Sequence, residues 1–158
     1  MDKLLQYPAI CISTFFFIGF ARKAPGTWGS LAGLLVGVPI LNYTGMLFFI
    51  FFVLTVFFLG SWACNYYIKS RKDDDHDPSE IVIDEVVGIW LTIALFPPSL
   101  NICILAFIFF RLFDIWKPWP ISWVDKSFSN FFGIMLDDVV ASIFSILCIY
   151  ICVELNLV

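Results

Sequence analysis

Two adjacent carboxylates, Asp137 and Asp138, lie a short way inside the last apolar segment of the chain. A segment this apolar is typical of a membrane helix. An ionised Asp inside a bilayer costs at least about 2.5 kcal/mol on insertion scales, so this pair would need a compensating charge there. No Lys or Arg follows Lys126, so that charge cannot come from a near neighbour in the sequence. We predict that a metal ion, or Arg and Lys on another helix, neutralises the pair. The alternative is two acids exposed at a helix end.

A second acidic group runs from His76 to Glu85, out of a loop and into the start of another apolar segment. Glu80 and Asp84 are four residues apart, which on a helix places both carboxylates on one face. With Asp77 reaching in from the loop, these oxygens suit a hard divalent cation. Acids at a helix start also act as partners of the helix dipole, but four in nine residues exceed that need. His76 either transfers a proton or lies solvated in the loop.

A third group spaces Arg111, Asp114 and Lys117 three residues apart, so that on a helix they share one face. Arg111 offers a planar fork and Lys117 a point charge for phosphate oxygens, while Asp114 could ligate a metal or hold the Arg in place. The alternative is an anchor at the membrane interface. An aromatic belt of Trp116, Trp119 and Trp123 follows the same stretch and is compatible with both interpretations.

A fourth group is the stretch from Ala24 to Leu31, in which a Pro and two Gly predict a turn leading into a helix that starts near Ser30. Free N–H groups at such a helix start can receive an anion. Thr27 and Ser30 add hydroxyls, and Arg22 and Lys23 lie close by in the sequence. The alternative is a capped helix start with neighbouring cations that snorkel to the interface.

The four groups together indicate chemistry on a phosphate with a divalent metal. The 5 Cys all lie in apolar runs, outside any Arg-rich loop, and no Asp-x-Asp-x-Thr pattern occurs. A single His excludes a phosphohistidine mechanism in which a second His is the acid. We therefore predict metal-assisted attack by water, with carboxylates holding Mg²⁺ and cations binding the phosphoryl oxygens.

The composition predicts that these groups are positioned by membrane helices. The 158 residues are 61% hydrophobic, 19% aromatic and only 14% charged, whereas soluble domains are about half apolar and a quarter charged. A mean hydropathy of +0.93 exceeds what one soluble core of this size explains. An integral membrane protein is expected, and a soluble enzyme, a nucleic-acid-binding protein and a secreted disulfide scaffold are not.

Six apolar segments are candidate helices of a single domain over residues 1–158. About 20 residues are needed to cross about 30 Å of hydrocarbon, which the third and sixth segments supply. The second is shorter and is expected to be tilted or re-entrant, the fourth and fifth form a hairpin, and the first either spans or only dips into the bilayer. The segments are Leu4–Phe20, Ser30–Leu41, Met46–Tyr67, Ile81–Phe96, Leu100–Phe113 and Phe131–Val153.

The distribution of basic residues predicts the orientation. The turns at residues 42–45 and 97–99 hold no Lys or Arg, whereas the other connections hold Arg22, Lys23, Lys69, Arg71, Lys72, Lys117 and Lys126. The positive-inside rule assigns the basic connections to the cytoplasm. The predicted fold class is an all-α integral membrane protein, a compact bundle of about five or six helices, some short or re-entrant, with polar loops on one face.

The same four stretches, in this order, resemble the phosphatidylglycerophosphatase A family of bacterial membrane lipid phosphatases. The most specific pieces are APGTWGSL at 24–31, IVIDEVVG at 81–88, FRLFDIWKPWPI at 110–121 and GIMLDDVVA at 133–141. The resemblance implies Mg²⁺-dependent removal of the terminal phosphate from phosphatidylglycerophosphate, giving phosphatidylglycerol and inorganic phosphate. It also implies a multi-pass protein of the bacterial inner membrane with its active site facing the cytoplasm, and membrane lipid as its partner.

The family's motif positions fall on individual residues of this chain, and the charge type of each suggests a hypothetical role. Mg²⁺ ligands or the base for water would come from Asp84, Glu85, Asp114, Asp137 and Asp138. Phosphate would be bound by Gly26, Thr27, Ser30, Arg111 and Lys117. Further motif positions fall on Pro25, Gly29, Gly88 and Pro118. His76 and Asp77 are similar to a His-Asp pair ahead of the family's Asp-Glu, whereas Glu80 matches no family position.

A small ion- or proton-coupled membrane transporter is the alternative function, because carboxylates inside a membrane also mark ion pathways. Transport needs polar groups near the midplane with access from both faces. Here the acids cluster at one end of the segments, which favours the enzyme.

Overall fold

The computed structural model describes residues 3–71, 78–127 and 131–156. The described residues form seven α-helices and one 3₁₀ turn, with no strand among them, and the predicted all-α class is confirmed. The helices are α1 (Lys3–Ser13), α2 (Pro25–Thr44), α3 (Met46–Ser70), α4 (Ile83–Ala94), α5 (Leu100–Trp116), α6 (Ile121–Ser127) and α7 (Phe131–Glu154), and the 3₁₀ turn is Ile18–Phe20.

The short helix α4 forms the centre of the bundle. Ten of its twelve residues are buried. After its first turn the side chains of α4 itself are apolar on nearly every face, as is typical of a buried helix. It packs against α2, α3, α5 and α7, most extensively against α7 and α2. Every charged group at the start of α4 is thereby held at the meeting point of several helices.

The packing of α2 on α4 depends on glycines. A Cβ atom on Gly33 would come within 2.8 Å of Ile89, and one on Gly37 within 2.5 Å of the Trp90 indole. The Trp90 Nε1–H donates to the carbonyl of Gly33 at 2.6 Å, a buried bond between the two helices. Small residues let the two backbones approach closely, as at many helix contacts in membranes.

The start of α2 corrects the sequence-based expectation. The helix begins at Pro25, not near Ser30, and its 20 residues replace the predicted short segment. Pro is well suited to the first helical position, because its missing N–H would be unpaired there and its φ is already helical. Ala24, immediately before it, adopts the left-handed conformation with φ 50°. The stretch expected to be a turn is therefore the first two turns of a helix.

The first apolar segment is also shorter than the predicted Leu4–Phe20. α1 ends at Ser13, and Phe15, Phe16 and Phe17 follow with positive φ values of 42°, 55° and 69°. The Thr14 hydroxyl donates to the carbonyl of Ile10 and accepts from the Phe17 N–H, so a polar side chain replaces helical bonds here. With 11 residues, α1 is about half as long as a spanning helix.

Two of the described helices are long and apolar enough to cross a membrane. They are α3, with 25 residues, and the 23 residues Phe132–Glu154 of α7. Both present large apolar side chains at the surface, for example Phe51 at 69% exposure and Leu147 at 55%. The third and sixth predicted segments are thus the long helices, as expected.

The two ends of the bundle differ in polarity. At one end, the uncharged turns come together with the end of α7, in a hollow lined by Asn42, Pro97 and Val153 among others. The starts of α2 and α4 and the end of α5 lie at the opposite end, where the charged side chains meet. The α4–α5 hairpin about residues 97–99 has the predicted arrangement.

Candidate active site

A cavity of about 290 Å³ brings together residues from all four sequence groups. Its walls come from the first turns of α2 and α4, the end of α5, and α7. It is lined by Ala24, Pro25, Gly26, Pro78, Ser79, Ile81, Asp84, Glu85, Arg111, Asp114, Lys117, Ile134, Asp137 and Asp138. Residues more than 110 positions apart in the sequence thus share one small volume.

Three carboxylates lie close together in this cavity. Asp84 and Glu85 of α4 and Asp138 of α7 each offer an oxygen, and these oxygens lie within 4.8 Å of one another. Asp84 is 9% exposed and Asp138 only 3%. The close packing of α7 on α4 produces this juxtaposition, because each helix presents its acids to the other.

Several of these oxygens have no partner among the described residues. Asp84 Oδ1, Glu85 Oε2, Asp137 Oδ1 and Asp138 Oδ2 are buried and accept no hydrogen bond. A buried carboxylate oxygen without a donor is costly, and several together repel one another. The donor set and its unmet bonding capacity fit a hard divalent cation, which prefers carboxylate oxygens.

Arg111 of α5 lies between acids from two helices. Its Nη1 is 2.5 Å from Asp114 Oδ2 and 3.7 Å from Glu85 Oε1, and it is 3.5 Å from the Ser30 hydroxyl of α2. The Nε–H of Arg111 is buried and has no acceptor among the described residues. The guanidinium is therefore held in place by acids of two helices.

Lys117 forms a second cationic position through a turn that the sequence did not predict. α5 ends at Trp116, and Lys117 takes the left-handed conformation with φ 43°, so it leaves the helical face shared by Arg111 and Asp114. Its Nζ lies 2.6 Å from Asp137 and 2.6 Å from Asp125. The predicted single face of three residues is thus wrong for its last member.

The ion pairs of Lys117 also determine its charge. Burial alone would lower the pKa of the ammonium, but the charges of Asp137 and Asp125 and their hydrogen bonds raise the pKa above its ordinary value. Because a raised pKa keeps the proton on Lys117 at every pH up to the folded-state pKa, the side chain is a cation at neutral pH.

Asp125 is the site residue that sequence reasoning missed. It lies on α6, a helix of seven residues that no apolar run indicated. The only sequence signal was a carboxylate eight positions after Lys117, beyond a Pro-Trp-Pro stretch. Recognising it required the turn at Lys117 and the docking of α6 on α7.

The predicted phosphate-binding residues of α2 occupy three different positions. Gly26 lines the cavity, and a Cβ there would overlap Glu85 Oε1. Ser30 is buried, donates to the Gly26 carbonyl at 2.9 Å and contacts Arg111. Thr27 does not line the cavity, and its N–H donates to Ala24 within the first helical turn.

The other predicted residues between His76 and Glu85 have different outcomes. Glu80 precedes α4, which begins at Ile83, and pairs with Arg71 at 3.1 Å, so the predicted helical face shared by Glu80 and Asp84 is wrong. His76 and Asp77 lie outside the described residues.

Among the described residues the fold is all-helical, and the site combines a group of close carboxylates with the two cations Arg111 and Lys117. Comparison with known sequences gives the family. A model of the family named Phosphatidylglycerophosphatase A matches residues 11–153. The chain belongs to this family and is accordingly a phosphoric monoester hydrolase, as predicted.

Individual relatives are similar over most of their length. A "Phosphatidylglycerophosphatase A" of Haemophilus influenzae is 40% identical over 92% of this chain and 89% of its own. One of Escherichia coli with the same name is 33% identical, over 89% and 81%. A protein of Bacteroides thetaiotaomicron, provisionally named a phosphatidylinositol-3-phosphatase, is 34% identical, over 93% and 94%. No solved structure matches the chain.

Proposed function

We propose that this protein hydrolyses the terminal phosphate of phosphatidylglycerophosphate to give phosphatidylglycerol and inorganic phosphate. Family membership and the names of two relatives support this substrate. The single observation that carries the proposal is the close cluster of Asp84, Glu85 and Asp138 beside two cations. A phosphomonoester and a divalent cation are complementary to that combination of charges.

Mg²⁺ is the proposed cofactor. Asp84, Glu85 and Asp138 would hold it, and Asp114 and Asp137 line the same cavity. When bound, Mg²⁺ would neutralise charge on the phosphoryl oxygens and lower the pKa of a bound water. The cavity by itself presents five carboxylates and two cations, so an unaccompanied phosphate would be repelled.

Arg111 and Lys117 are proposed to bind the phosphoryl oxygens. Both are already held by carboxylates, Arg111 by Asp114 and Lys117 by Asp137 and Asp125. Such preorganised cations stabilise charge that shifts to the leaving oxygen without needing to reorient during the reaction. The water oxygen bonds to phosphorus, the bond from phosphorus to the glycerol oxygen breaks, and that oxygen takes a proton.

The base that accepts the proton of the attacking water is proposed to be one of the cavity carboxylates. Asp137 and Asp138 are adjacent, and both are almost completely buried. Closely spaced acids titrate as a pair, so the role belongs to the pair until kinetics separate its members. Asp137 also contacts Lys117, which distinguishes its surroundings from those of Asp138.

The proposed location is the bacterial inner membrane, with the cavity at the cytoplasmic face. α3 and α7 are long enough to cross, and the connections at the cavity end carry the basic residues that the positive-inside rule assigns to the cytoplasm. The lipid substrate would enter sideways from the bilayer, with its headgroup at the level of the Trp residues that follow α5.

Phosphate release by the detergent-purified protein tests the proposal. The substrates are phosphatidylglycerophosphate, phosphatidylinositol 3-phosphate, phosphatidic acid and glycerol 3-phosphate, each with Mg²⁺ and with a chelator. We expect release that requires Mg²⁺ and is fastest with the first lipid. Faster release from phosphatidylinositol 3-phosphate would show that this lipid, and not phosphatidylglycerophosphate, is the preferred substrate. Undiminished release with the chelator would contradict the proposed requirement for Mg²⁺.

The transport alternative has less support. Beyond the cavity, the buried hydroxyls of Thr92, Ser142 and Ser145 each donate to a carbonyl of their own helix. Within the described residues, no charged group continues from the cavity toward the uncharged turns. Folded protein that releases phosphate from no lipid but conducts ions in liposomes would reverse this preference.

A further inference from the structure

A second concave surface, larger than the charged cavity, lies between α2 and α5. This groove has a volume of about 660 Å³ and is lined only by apolar side chains and one Cys. Leu31, Leu35 and Val38 of α2 form one wall, and Cys103, Ile104 and Ile108 of α5 form the other. Leu35 is 71% exposed and Ile108 53%, so the groove opens to the surroundings of the protein.

The groove exists because its two walls pack on different neighbours. α2 lies against α4 through its glycine face, and α5 lies mainly against α7. α2 and α5 therefore contact each other much less than each contacts its main neighbour. This separation leaves a channel between two helices that run in opposite directions.

One end of the groove lies close to residues of the charged cavity. Leu31 directly follows Ser30, whose hydroxyl is 3.5 Å from Arg111 Nη1. Ile108, on the opposite wall, is one helical turn before Arg111. From Leu31 the wall continues to Pro39, about 12 Å further along α2 at 1.5 Å per residue. An apolar channel thus leads away from a phosphate-binding cation.

We infer that this groove holds one acyl chain of the lipid whose phosphate binds at Arg111, an inference that rests on the proposed function. A ligand that is charged at one end and hydrocarbon along the rest of its length matches a charged cavity with an apolar groove beside it. A partner helix would match the apolar walls, but nothing in its chemistry would require the charged end.

The groove positions the substrate and does not add much affinity. Hydrocarbon in a bilayer is already in an apolar environment, so moving a chain into the groove removes little further surface from water. Holding the chain fixes where the headgroup sits relative to Arg111. A displacement of about 1 Å at a reacting group can cost about 100-fold in rate, so the effect is expected in turnover.

Cys103→Trp fills the groove, and Cys148→Trp on α7 is its matched control. Both residues are free, half-buried cysteines, but only Cys103 lines the groove. We expect Cys103→Trp to lower phosphate release from the dipalmitoyl substrate about tenfold, while release from its dibutyryl analogue stays within about twofold. Cys148→Trp should leave the ratio between the two substrates unchanged. An unchanged ratio in folded Cys103→Trp would overturn the inference.

Photolabelling of the native chain gives a second readout that does not depend on a variant's folding. A dipalmitoyl phosphatidic acid with a diazirine in the middle of one chain is added to the purified protein and irradiated, and labelled peptides are identified by mass spectrometry. Label concentrated on residues 31–39 and 100–108 supports the groove, whereas label spread over α3 and α7 contradicts it.

A change of oligomeric state in Cys103→Trp would instead assign the groove to a second copy of the chain.

The two proposals fail in distinguishable ways. If the native protein releases no phosphate from any lipid, the proposed function fails, and the photolabelling still decides whether the groove holds an acyl chain. If the native protein is active but treats both chain lengths alike in Cys103→Trp, the groove inference alone fails.

Discussion

At the scale of single residues, Asp138 is the most buried of the cavity acids. It is 3% exposed, lies within 4.8 Å of Asp84 and Glu85 as a potential ligand, and one of its oxygens has no partner among the described residues. Asp138→Asn keeps the shape but removes a charge, so the cluster would lose a metal ligand. We expect phosphate release to fall at least about 100-fold.

The control for Asp138→Asn is Glu154→Gln, which removes an acid from the exposed far end of the same helix. That variant should retain activity within about twofold, since surface charges away from the site have small effects. Normal turnover by folded Asp138→Asn would remove this residue from the proposed site.

Asp125 acts on the cavity through Lys117. Without it, the Lys117 ammonium would keep only Asp137 within 2.6 Å and would be free to turn away from the cavity. We expect Asp125→Asn to raise KM about tenfold with a smaller change in kcat, because phosphate binding is affected more than bond cleavage. Asp125→Glu should restore part of the loss. Equal losses in both variants, with a lowered Tm, would indicate a structural role only.

At the scale of elements, the close contact between α2 and α4 determines how these two helices are placed. Gly37 lies against Trp90, and a Cβ there would approach the indole to 2.5 Å. Trp90 cannot easily move, because Phe15, Phe49 and Phe52 surround it and its N–H is bonded to Gly33. The two helices must therefore separate if that position carries a side chain.

Gly37→Ala is expected to lower the free energy of unfolding by about 1–3 kcal/mol through this overlap, with part of the loss offset by the better helix propensity of Ala. Thermal unfolding in detergent measures the effect. Val36→Ala, at a neighbouring exposed position of α2, should change Tm much less. A Tm for Gly37→Ala equal to or above that of the native chain would show that the α2–α4 contact can accommodate an added methyl group.

At the scale of the whole molecule, the cavity joins helices that are distant in sequence and carries an excess of acids over bases. Mutual repulsion of these buried carboxylates opposes the packing of α4 against α7. A divalent cation that binds only the folded state should therefore stabilise the entire bundle.

We expect Mg²⁺ at about 100 times its dissociation constant to raise the free energy of unfolding by about 2.7 kcal/mol, observed as a higher Tm. Chelation should reverse the increase. Asp138→Asn should lose most of the response, and Glu154→Gln should keep it. A Tm that does not respond to Mg²⁺ at concentrations that saturate activity would contradict metal binding in this cavity.

The sequence by itself determined the all-α class, the two long apolar helices, the family, and the four polar groups that form the cavity. Apolar runs and motif residues are local properties, so they can be read without knowing what packs against what. The sequence also placed the uncharged turns together at one end, because alternate connections of a helical bundle lie at opposite ends.

Only the tertiary structure decided where several charged side chains lie relative to the cavity. The turn at Lys117, its pairing with Asp125, and the removal of Glu80 from the acidic face all depend on contacts between elements. The start of α2 at Pro25 had the same cause, since its buried glycines are held helical by packing on α4. The physical reason is that short helices and left-handed turns carry weak local signals, and tertiary contacts supply most of their stability.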